Sequence, residues 1–461
     1  MCKTPSYSEQ ASALVLAALL GVGLFATGTQ AAHAEKLTLT ESIDIALENN
    51  PTVHIARENM RKAAAVIDEA TALGMPKLSL DGTYERVDEV PVAQFGDRTV
   101  ELGRLESRTA DLALVQPIDI FGVVKTGRKA AKFSKSSARY EFDQATNDVT
   151  LETKEAFYNV LRAQEFLKVE EDTIAQLEAH LKDAQLHYAA GTAAKFDVLR
   201  AETQLANARQ GLITAQNGVE LAKAAFNNVL GRLLDTSVEL VEPQRPQFVD
   251  LNLQSCIESA SRWRPELLRA DSLVSMSDTM TKVIRLSSKP RFNFRWAYNR
   301  NFDVSTFNPR DSSWQAFLTT SFSIYDGGAA RASVDKAASD ANNARSAREQ
   351  VVQGVTLDAK QSYLSLKESR ERILAAEKGL EQAKESMRLA QVRYGGGVAI
   401  QIEVFDAQAA LTLAQTNHVN ALYDYQVALA RLERAVGGEE QLAELIGGQP
   451  VAGSHPPAAG G

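Results

Sequence analysis

The sequence has very little cysteine, no long apolar run beyond its N-terminus and no excess of positive charge. Cys2 and Cys256 are the two cysteines among 461 residues, and removal of an N-terminal export signal would leave Cys256 alone. A disulfide framework and a CxxC metal site are therefore excluded. After the first 25 residues, no stretch is long and apolar enough to be a transmembrane helix. The net charge of −8 argues against a nucleic-acid partner, which favours a basic surface.

The motifs of common enzymes and cofactor-binding proteins are also missing. The sequence contains no GxSxG, HExxH, P-loop or dinucleotide fingerprint. His180 and His187 lie seven residues apart on one face of a predicted helix, and no third ligand accompanies them. We therefore predict that the chain is not an enzyme and that it has no catalytic residues, no cofactor and no metal site.

The N-terminus has the pattern of an export signal. Lys3 precedes an apolar run over residues 11–25, and Ala32-His33-Ala34 provides the small-x-small site of a signal peptidase. The alternative is a single membrane anchor, but the run is shorter than the roughly 20 residues that a membrane-spanning helix needs. We predict a signal peptide over residues 1–34 and an exported mature chain.

The mature sequence is an internal duplication. Each copy has the order helix, strand, strand, very long helix, turn and long helix. We predict a first repeat at 35–236, a linker in an equatorial region at 237–250, a second repeat at 251–440 and a C-terminal tail at 441–461, disordered at its end. A shift of 214 residues superimposes Leu39, Pro51, Ala56, Pro76 and Tyr84 on Leu253, Pro265, Ala270, Pro290 and Tyr298.

Each repeat contains two short segments in which apolar and polar residues alternate, near residues 77–85, 111–118, 291–299 and 314–324. Segments of about ten residues with one apolar, aromatic face are typical of outer-membrane β-barrels. A small amphipathic sheet packed on helices is the soluble alternative. The predicted lipid-facing residues are Leu78, Leu80, Tyr84, Phe292, Phe294, Trp296, Tyr298, Trp314 and Phe322.

Four strands are too few to close a barrel, because single-chain barrels begin at about eight strands. Open strand edges within lipid would leave backbone groups without hydrogen-bond partners, at several kcal/mol each. The barrel must therefore be shared between chains. Two chains supply eight strands and three supply twelve, and the larger barrel leaves an aqueous lumen. We predict a homotrimer with twelve strands.

The helical segments carry a second strong pattern. Helical composition without proline continues from Gly122 to Tyr188, which corresponds to on the order of 100 Å of helix. After a turn, apolar residues recur at heptad spacing from Ala201 to Val229, and Ala407 to Ala435 repeats the pattern. Sustained heptads form coiled-coil seams. We predict two antiparallel helical hairpins per chain, packed side by side.

The hairpin turns carry a duplicated motif. Gly191 and Gly397 are each followed six residues later by an acid, Asp197 and Glu403. Together with Phe121-Gly122 and Asp326-Gly327-Gly328 at the strand-to-helix turns, the two motifs make the chain similar to the TolC-like outer-membrane efflux protein family. The resemblance covers nearly all of the mature sequence.

This resemblance implies a trimeric barrel in the outer membrane of a Gram-negative bacterium, continued by a coiled-coil helical barrel across the periplasm. It implies a passive export duct of a tripartite efflux or type I secretion system, in contact with outer-membrane lipid. The expected partners are a periplasmic adaptor (membrane fusion) protein and an inner-membrane pump. The residues expected to contact the adaptor lie at the hairpin tips: Gly191, Thr192, Gly395, Gly396, Gly397 and Val398.

In the family, acidic residues narrow the periplasmic end of the tube, and this gate maps onto Glu403 and Asp406. The two acids share a helix face, so three chains would bring six carboxylates to one aperture. Such a ring favours the passage of cations, and the crowding raises the proton affinity of the carboxylates. The alternative is a solvated acid pair favoured by the helix dipole. Asp197 and Arg200 complete the predicted gate. The family member best known for a closed tip has an arginine at the position of Ala399, so a different pair between the hairpins, Arg200 with Glu403 or Asp406, is the alternative latch.

A function of a different class also fits the helical pattern. A secreted or periplasmic coiled-coil scaffold or adhesin with a small soluble sheet would share the heptads and the export signal. The alternating strands and the duplicated tip motif favour the channel.

Overall fold

The computed structural model describes residues 35–241, 248–303 and 310–447. The predicted signal peptide and the end of the predicted tail, from residue 448, lie outside these ranges. Within them, long helices dominate and a small sheet joins them at one end. None of the helices in this part of the chain has both the length and the apolar character needed to cross a bilayer.

The two halves of the chain have the same order of main elements. The first half contains β1 (Glu35–Leu37), α1 (Leu39–Asn49), α2 (Pro51–Ala72), β2 (Lys77–Arg86), β3 (Val92–Phe95), β4 (Arg98–Glu101), β5 (Glu106–Ile118), α3 (Val123–Ala189), α4 (Lys195–Val229) and β6 (Val238–Leu240). The second half contains α5 (Leu253–Trp263), α6 (Pro265–Ser287), β7 (Arg291–Asn301), β8 (Ser312–Ser321), α7 (Ala329–Gly395), α8 (Gln401–Val436) and α9 (Glu439–Gly447). The longest helices, α3 and α7, each have 67 residues, or roughly 100 Å at 1.5 Å per residue.

Short polar caps and prolines set the starts of the helices that precede the sheet. Thr38 and Glu41 form a capping box at the start of α1, in which each side chain accepts a hydrogen bond from the backbone N–H of the other residue. Pro51 and Pro265 begin α2 and α6. Proline fits this first position because the missing N–H would have no helical partner there.

The main sheet has four antiparallel strands in the order β2-β5-β7-β8, so β2 and β8 are its edges. Two strand boundaries differ from the sequence prediction. Strand β5 begins at Glu106 rather than near Asp111, and β8 ends at Ser321, so Phe322 lies beyond the strand. The loop between β2 and β5 also contains the hairpin β3–β4, which the sequence pattern did not predict.

The predicted helical hairpins are present, and their cores contain the predicted heptad residues. In the first hairpin, Leu177 on α3 packs with Ala201 and Leu205 on α4. In the second hairpin, Met387 on α7 packs with Ala407 and Leu411 on α8. Alanines at these seams let the helix axes approach closely, which brings four long helices into one side-by-side array.

A cluster of charged side chains joins the two halves far from the sheet. Arg434 on α8 bonds Asp148 on α3 at 2.8 Å, Asp358 on α7 at 3.1 Å and Glu266 on α6 at 2.9 Å. Arg264, 4% exposed, also bonds Glu266 and Asp358. Burial opposes the charge of Arg264, but its hydrogen bonds to the two carboxylates raise its pKa. The cluster connects four helices, α3, α6, α7 and α8, and no sequence motif predicted it.

A close backbone approach fixes the end of α4 against the end of α1. Gly231 has a φ of +68°, and a Cβ atom at this position would lie 2.7 Å from the carbonyl oxygen of Asn49. The neighbouring Asn50 side chain donates a hydrogen bond to the carbonyl of Val229 at 2.8 Å. Only glycine satisfies both the left-handed backbone and the lack of space.

We predict that Gly231→Ala lowers the free energy of unfolding by about 1–3 kcal/mol, through backbone strain and the clash with Asn49. The thermal unfolding midpoint, followed by circular dichroism in detergent, measures the effect. Gly218→Ala is the matched control, because Gly218 lies inside α4 with no heavy atom within 4 Å of an added Cβ. Equal midpoints for the two variants would contradict this account of Gly231.

Candidate functional site

The main sheet carries most of its large apolar side chains on one face. Two neighbouring rows cross all four strands: Leu78, Leu114, Trp296 and Ala316 in one, and Leu80, Leu112, Tyr298 and Trp314 in the other. Leu80 and Trp314, on the edge strands, are 73% and 70% exposed. An apolar surface of this kind in a single chain indicates contact with lipid or with another molecule.

The opposite face of the sheet is mostly polar, and its larger apolar residues are Val115 and Phe317. Asp81, Asp111, Asn299 and Ser313 form a row across the four strands. The Asn299 amide donates a hydrogen bond to a carboxylate oxygen of Asp111 at 2.8 Å. A sheet with one apolar and one polar face separates a hydrocarbon environment from an aqueous one.

Eight of the nine predicted lipid-facing residues lie on the apolar face of the sheet. Phe322, the ninth, follows the last residue of β8 and is 55% exposed. The period-2 pattern predicted too long a fourth strand. The alternation of apolar and polar residues continues in the sequence after the backbone hydrogen bonds between β7 and β8 have ended. Contact of these residues with lipid stays a prediction.

The two predicted hairpin tips have the same backbone geometry. Gly191 and Gly397 adopt φ values of +75° and +70°. The N–H groups of Thr192 and Val398 donate to the carbonyls of His187 and Arg393, both at 2.9 Å. These bonds satisfy carbonyl groups that the helix ends would otherwise leave unpaired. The duplicated sequence motif therefore folds into two equivalent, exposed turns.

The four predicted gate residues lie just after these turns, but they are paired differently from the expectation. Glu403 is 3.4 Å from Arg393 of its own hairpin, and Asp406 is exposed. Asp197 accepts a hydrogen bond from the backbone N–H of Ala194 at 3.3 Å. The expected pairing of Arg200 with Glu403 or Asp406 is not what the structure shows.

The Arg200 guanidinium instead lies 5.6 Å from the centroid of the Phe405 ring. Phe405 follows Glu403 by two residues on α8. Its side chain packs against the first hairpin, where it contacts Leu177, Ala201 and Leu205. A cation–π contact replaces the expected ion pair, because the aromatic ring reaches the neighbouring hairpin where the acids do not.

A buried polar contact accompanies Phe405 between the hairpins, and the sequence did not reveal it. The Gln401 amide nitrogen lies 2.9 Å from the carbonyl oxygen of Asp197 and 3.3 Å from Nε2 of His180. A carbonyl only accepts hydrogen bonds, so the amide nitrogen must face Asp197. His180 Nε2 then acts as the acceptor, and the neutral ring carries its proton on Nδ1.

The surroundings of His180 favour this neutral ring. Burial lowers the pKa of His180, and the nearby Asp183 on the same helix opposes the shift. The rings of Tyr394 and Phe405 lie 5.1 Å from the imidazole, centroid to centroid. Within the described ranges, no cluster of three or more His, Cys, Asp or Glu side chains is arranged to hold a metal ion. The site is a packed polar contact between two helical hairpins.

These features define an exported, channel-forming protein: a two-faced sheet, long paired hairpins and two equivalent tips. The model of the outer membrane efflux protein family matches residues 42–232 and 257–438. Outer membrane protein OprJ of Pseudomonas aeruginosa is 23% identical over 87% of this chain and 84% of its own length. Outer membrane protein TolC of Escherichia coli is 24% identical over 84% of this chain and 80% of its own. The CmeC outer membrane channel of Campylobacter jejuni superimposes with a TM-score of 0.76 at 16% identity, over 87% of this chain and 85% of that one.

The chain belongs to the outer membrane efflux protein family. The predicted fold class, a small β domain continued by a long helical one, is confirmed, as are the predicted outer-membrane location and the channel class. The alternative of a secreted coiled-coil scaffold or adhesin is not favoured, because the family match covers both repeats rather than the helices alone.

We predict that acidification loosens the contact between the hairpins. The folded pKa of His180 is lowered, so the separated state binds a proton more tightly, and stability is lost as the pH falls below about 6.5. A protonated Nε2 would also face the donor nitrogen of Gln401. The thermal midpoint of the wild type should fall more than that of His180→Gln between about pH 7 and pH 5.

His54→Gln is the control for this measurement, because His54 is exposed on α2. The control variant should keep the pH dependence of the wild type. If His180→Gln also kept it, His180 would have no part in the effect.

Proposed function

We propose that this protein is the outer-membrane duct of a tripartite efflux or type I secretion system, assembled from three copies of the chain. One observation carries the proposal: the sheet has a continuous apolar face and two edge strands, β2 and β8, that pair with no other strand among the described residues. Small molecules or unfolded proteins pass outward through the duct.

The unpaired edges explain the assembly. Every second N–H and C=O group of β2 and β8 points away from the sheet, and in hydrocarbon each unpaired group destabilises the chain by several kcal/mol. Pairing β8 of one chain with β2 of the next closes the ring. Three chains give a twelve-stranded barrel whose polar face lines a lumen, whereas side chains fill an eight-stranded one.

The helices continue this lumen away from the membrane. Helices α3 and α7, each about 100 Å long, leave the same end of the sheet and return as α4 and α8. Two hairpins from each of three chains form a helical tube that crosses the periplasm. The tips at Gly191, Thr192, Gly395, Gly396, Gly397 and Val398 lie at its far end, where the adaptor protein binds.

The gate lies immediately next to these tips. Asp406 is exposed, and Glu403 is held near it by Arg393. Threefold symmetry brings three copies of each carboxylate around the axis, which favours the passage of cations. Asp197 caps the start of α4, and Arg200 contacts the Phe405 ring of the second hairpin. These two contacts set how closely the first hairpin approaches the second.

The chain conducts and does not catalyse. The inner-membrane pump supplies the energy, and the adaptor opens the tips by binding them. Phe405 and Gln401 are the contacts that must separate if the two hairpins move apart during opening. The duct is therefore passive, and its state depends on its partners.

We predict that Glu403→Ala combined with Asp406→Ala raises the permeability of the channel to anions, because the ring of negative charge is removed. The reversal potential of the purified channel in planar bilayers under a salt gradient measures the selectivity. The reversal potential should shift toward the equilibrium potential of the anion. This shift should be smaller at high salt, because salt screens the charges.

Glu377→Ala combined with Glu381→Ala is the matched control. Both acids are exposed on α7, more than a dozen residues before its tip, and their removal changes the net charge equally. The control should keep the selectivity of the wild type. Unchanged selectivity in the Glu403 and Asp406 double variant would remove these acids from the gate.

A further inference from the structure

The first turns of α3 carry a stripe of positive charge. Lys125, Arg128, Lys129 and Lys132 follow each other at spacings of three and four residues, so they share one helix face, and all four are exposed. No acidic residue lies between them in the sequence. In a chain with a net charge of −8, this is a local concentration of the opposite sign.

Helix α6 adds two cations at the same level. Helices α3 and α6 run antiparallel, and Arg269 on α6 pairs with Glu141 on α3 at 3.1 Å. Lys282 lies thirteen residues after Arg269, and Arg128 lies thirteen residues before Glu141, so both are closer to the sheet than this ion pair. Each residue adds about 1.5 Å to either helix, so Lys282 and Arg128 lie at the same distance from the sheet. Arg285 follows one turn later, and both α6 cations are exposed. We name these six residues, Lys125, Arg128, Lys129, Lys132, Lys282 and Arg285, the basic collar.

The basic collar is electrostatically unfavourable in the chain by itself. Like charges three or four residues apart repel each other by about 0.2–0.5 kcal/mol per pair. Cations at the start of a helix also oppose its dipole. None of the six forms a salt bridge with another described residue, and the Asp119 carboxylate, which accepts from the Lys125 N–H at 3.1 Å, caps the helix instead. An external anion would relieve these repulsions.

The duplication shows that the fold does not require these charges. Helices α3 and α7 have the same length and begin directly after Gly122 and Gly328. In this alignment, the positions that match Lys125, Arg128, Lys129 and Lys132 are Arg331, Val334, Asp335 and Ala338. The second repeat forms an equally long helix with no net charge at these four positions. The charges therefore serve something other than the start of a helix.

Exposed apolar side chains lie on the segments that join the sheet to the long helices. Ile120 and Phe121, between β5 and α3, are 61% and 40% exposed, and Ile324 and Tyr325, between β8 and α7, are 92% and 88% exposed. A groove of about 810 Å³ runs from Ile120 and Phe121 to the α3 stripe. From the sheet toward the helices, the apolar groups come first and the cations follow. A phospholipid has the same order from the membrane core outward, first the acyl chains and then the phosphate.

We propose that the basic collar binds the phosphate groups of anionic phospholipids in the periplasmic leaflet of the outer membrane, with Ile120 and Phe121 against the acyl chains. The proposal rests on the proposed function, because the channel orientation places the end of the sheet at this leaflet. The strands, at 10 to 13 residues, end where the hydrocarbon ends, so the first turns of α3 and the last turns of α6 lie at headgroup level.

A second copy of the chain does not fit the collar as well as a lipid does. Rotation about an axis along the membrane normal keeps every residue at its height, and a ring packs two different faces of the chain together. A neighbouring chain would therefore present to the collar whatever lies at that height, including the exposed Asp335 of α7. The exposed Ile120 and Phe121, which line the same groove as the α3 stripe, favour a lipid, because a lipid supplies acyl chains and phosphate together.

The test uses the complete channel, delipidated in nonionic detergent. It is titrated with short-chain phosphatidylglycerol, and in parallel with phosphatidylcholine of the same chain length and with sodium phosphate. Binding is measured as the rise in the thermal unfolding midpoint, and bound lipids are counted by native mass spectrometry. Phosphatidylglycerol should bind, and raising the salt from about 0.1 M to about 1 M should weaken it, because the Debye length falls from about 10 Å to about 3 Å.

The collar variant combines Lys125→Ala, Arg128→Ser, Lys129→Val and Lys132→Ala, which removes all four positive charges of the α3 stripe. Its half-saturating phosphatidylglycerol concentration should rise by at least about tenfold, since each cation at a membrane surface contributes to anionic lipid binding. The control variant replaces Lys182, Lys367, Lys378 and Lys384, exposed on the helical shaft, by alanine. It loses the same charge and should bind like the wild type.

Four results would overturn the proposal: equal effects of the two lipids, unchanged binding in the collar variant, an equal effect of sodium phosphate, or dissociation of the collar variant into single chains. The last would identify the collar as a contact between copies. Conductance in planar bilayers separates this proposal from the proposed function. Wild type that conducts but shows no lipid preference would reject the collar alone, whereas wild type that forms no channel would reject the duct itself.

Discussion

The backbone hydrogen-bonding groups at the edges of a four-stranded sheet constrain everything else in this molecule. Water can satisfy these groups at a soluble sheet, but hydrocarbon cannot. The apolar face through Leu80, Leu112, Tyr298 and Trp314 belongs in hydrocarbon, so β2 and β8 require partners from other chains. Symmetric assembly then follows, and with it a polar lumen, a helical tube and a ring of tips around one axis. A change in a single surface residue near the axis is repeated three times, which is why a few side chains can control a wide conduit.

The duplication supplies two versions of each element, and their differences carry the functional detail. The two hairpins share length and turn geometry, yet Phe405 and Gln401 reach from the second hairpin into the first. At the opposite end, the four cations at the start of α3 have counterparts at the start of α7 that carry no net charge. In the proposed channel, these two ends of the helices face the partner proteins and the membrane boundary, respectively.

Patterns with a regular period were sufficient to predict most of the fold. The heptads identified the seams at Leu205 and Leu411, and the alternation identified the apolar face, because both periods follow directly from backbone geometry. The strand ends, the β3–β4 hairpin and the contact of His180 with Gln401 were not predicted. These depend on which distant side chains meet, as does the charge cluster around Arg264 and Arg434, and spacing along one chain does not contain that information. The gate itself stays a prediction, and the side-chain partners of its residues within the chain were not predicted.

The mass of the purified protein in mild detergent, determined by native mass spectrometry on folded material, tests the central claim most directly. The unpaired edges of the sheet predict a complex with three times the mass of one chain, which retains its helical content and dissociates only when the sheet unfolds. A single chain that remains fully folded and stable under the same conditions would contradict the account, because its strand edges would then need no partners.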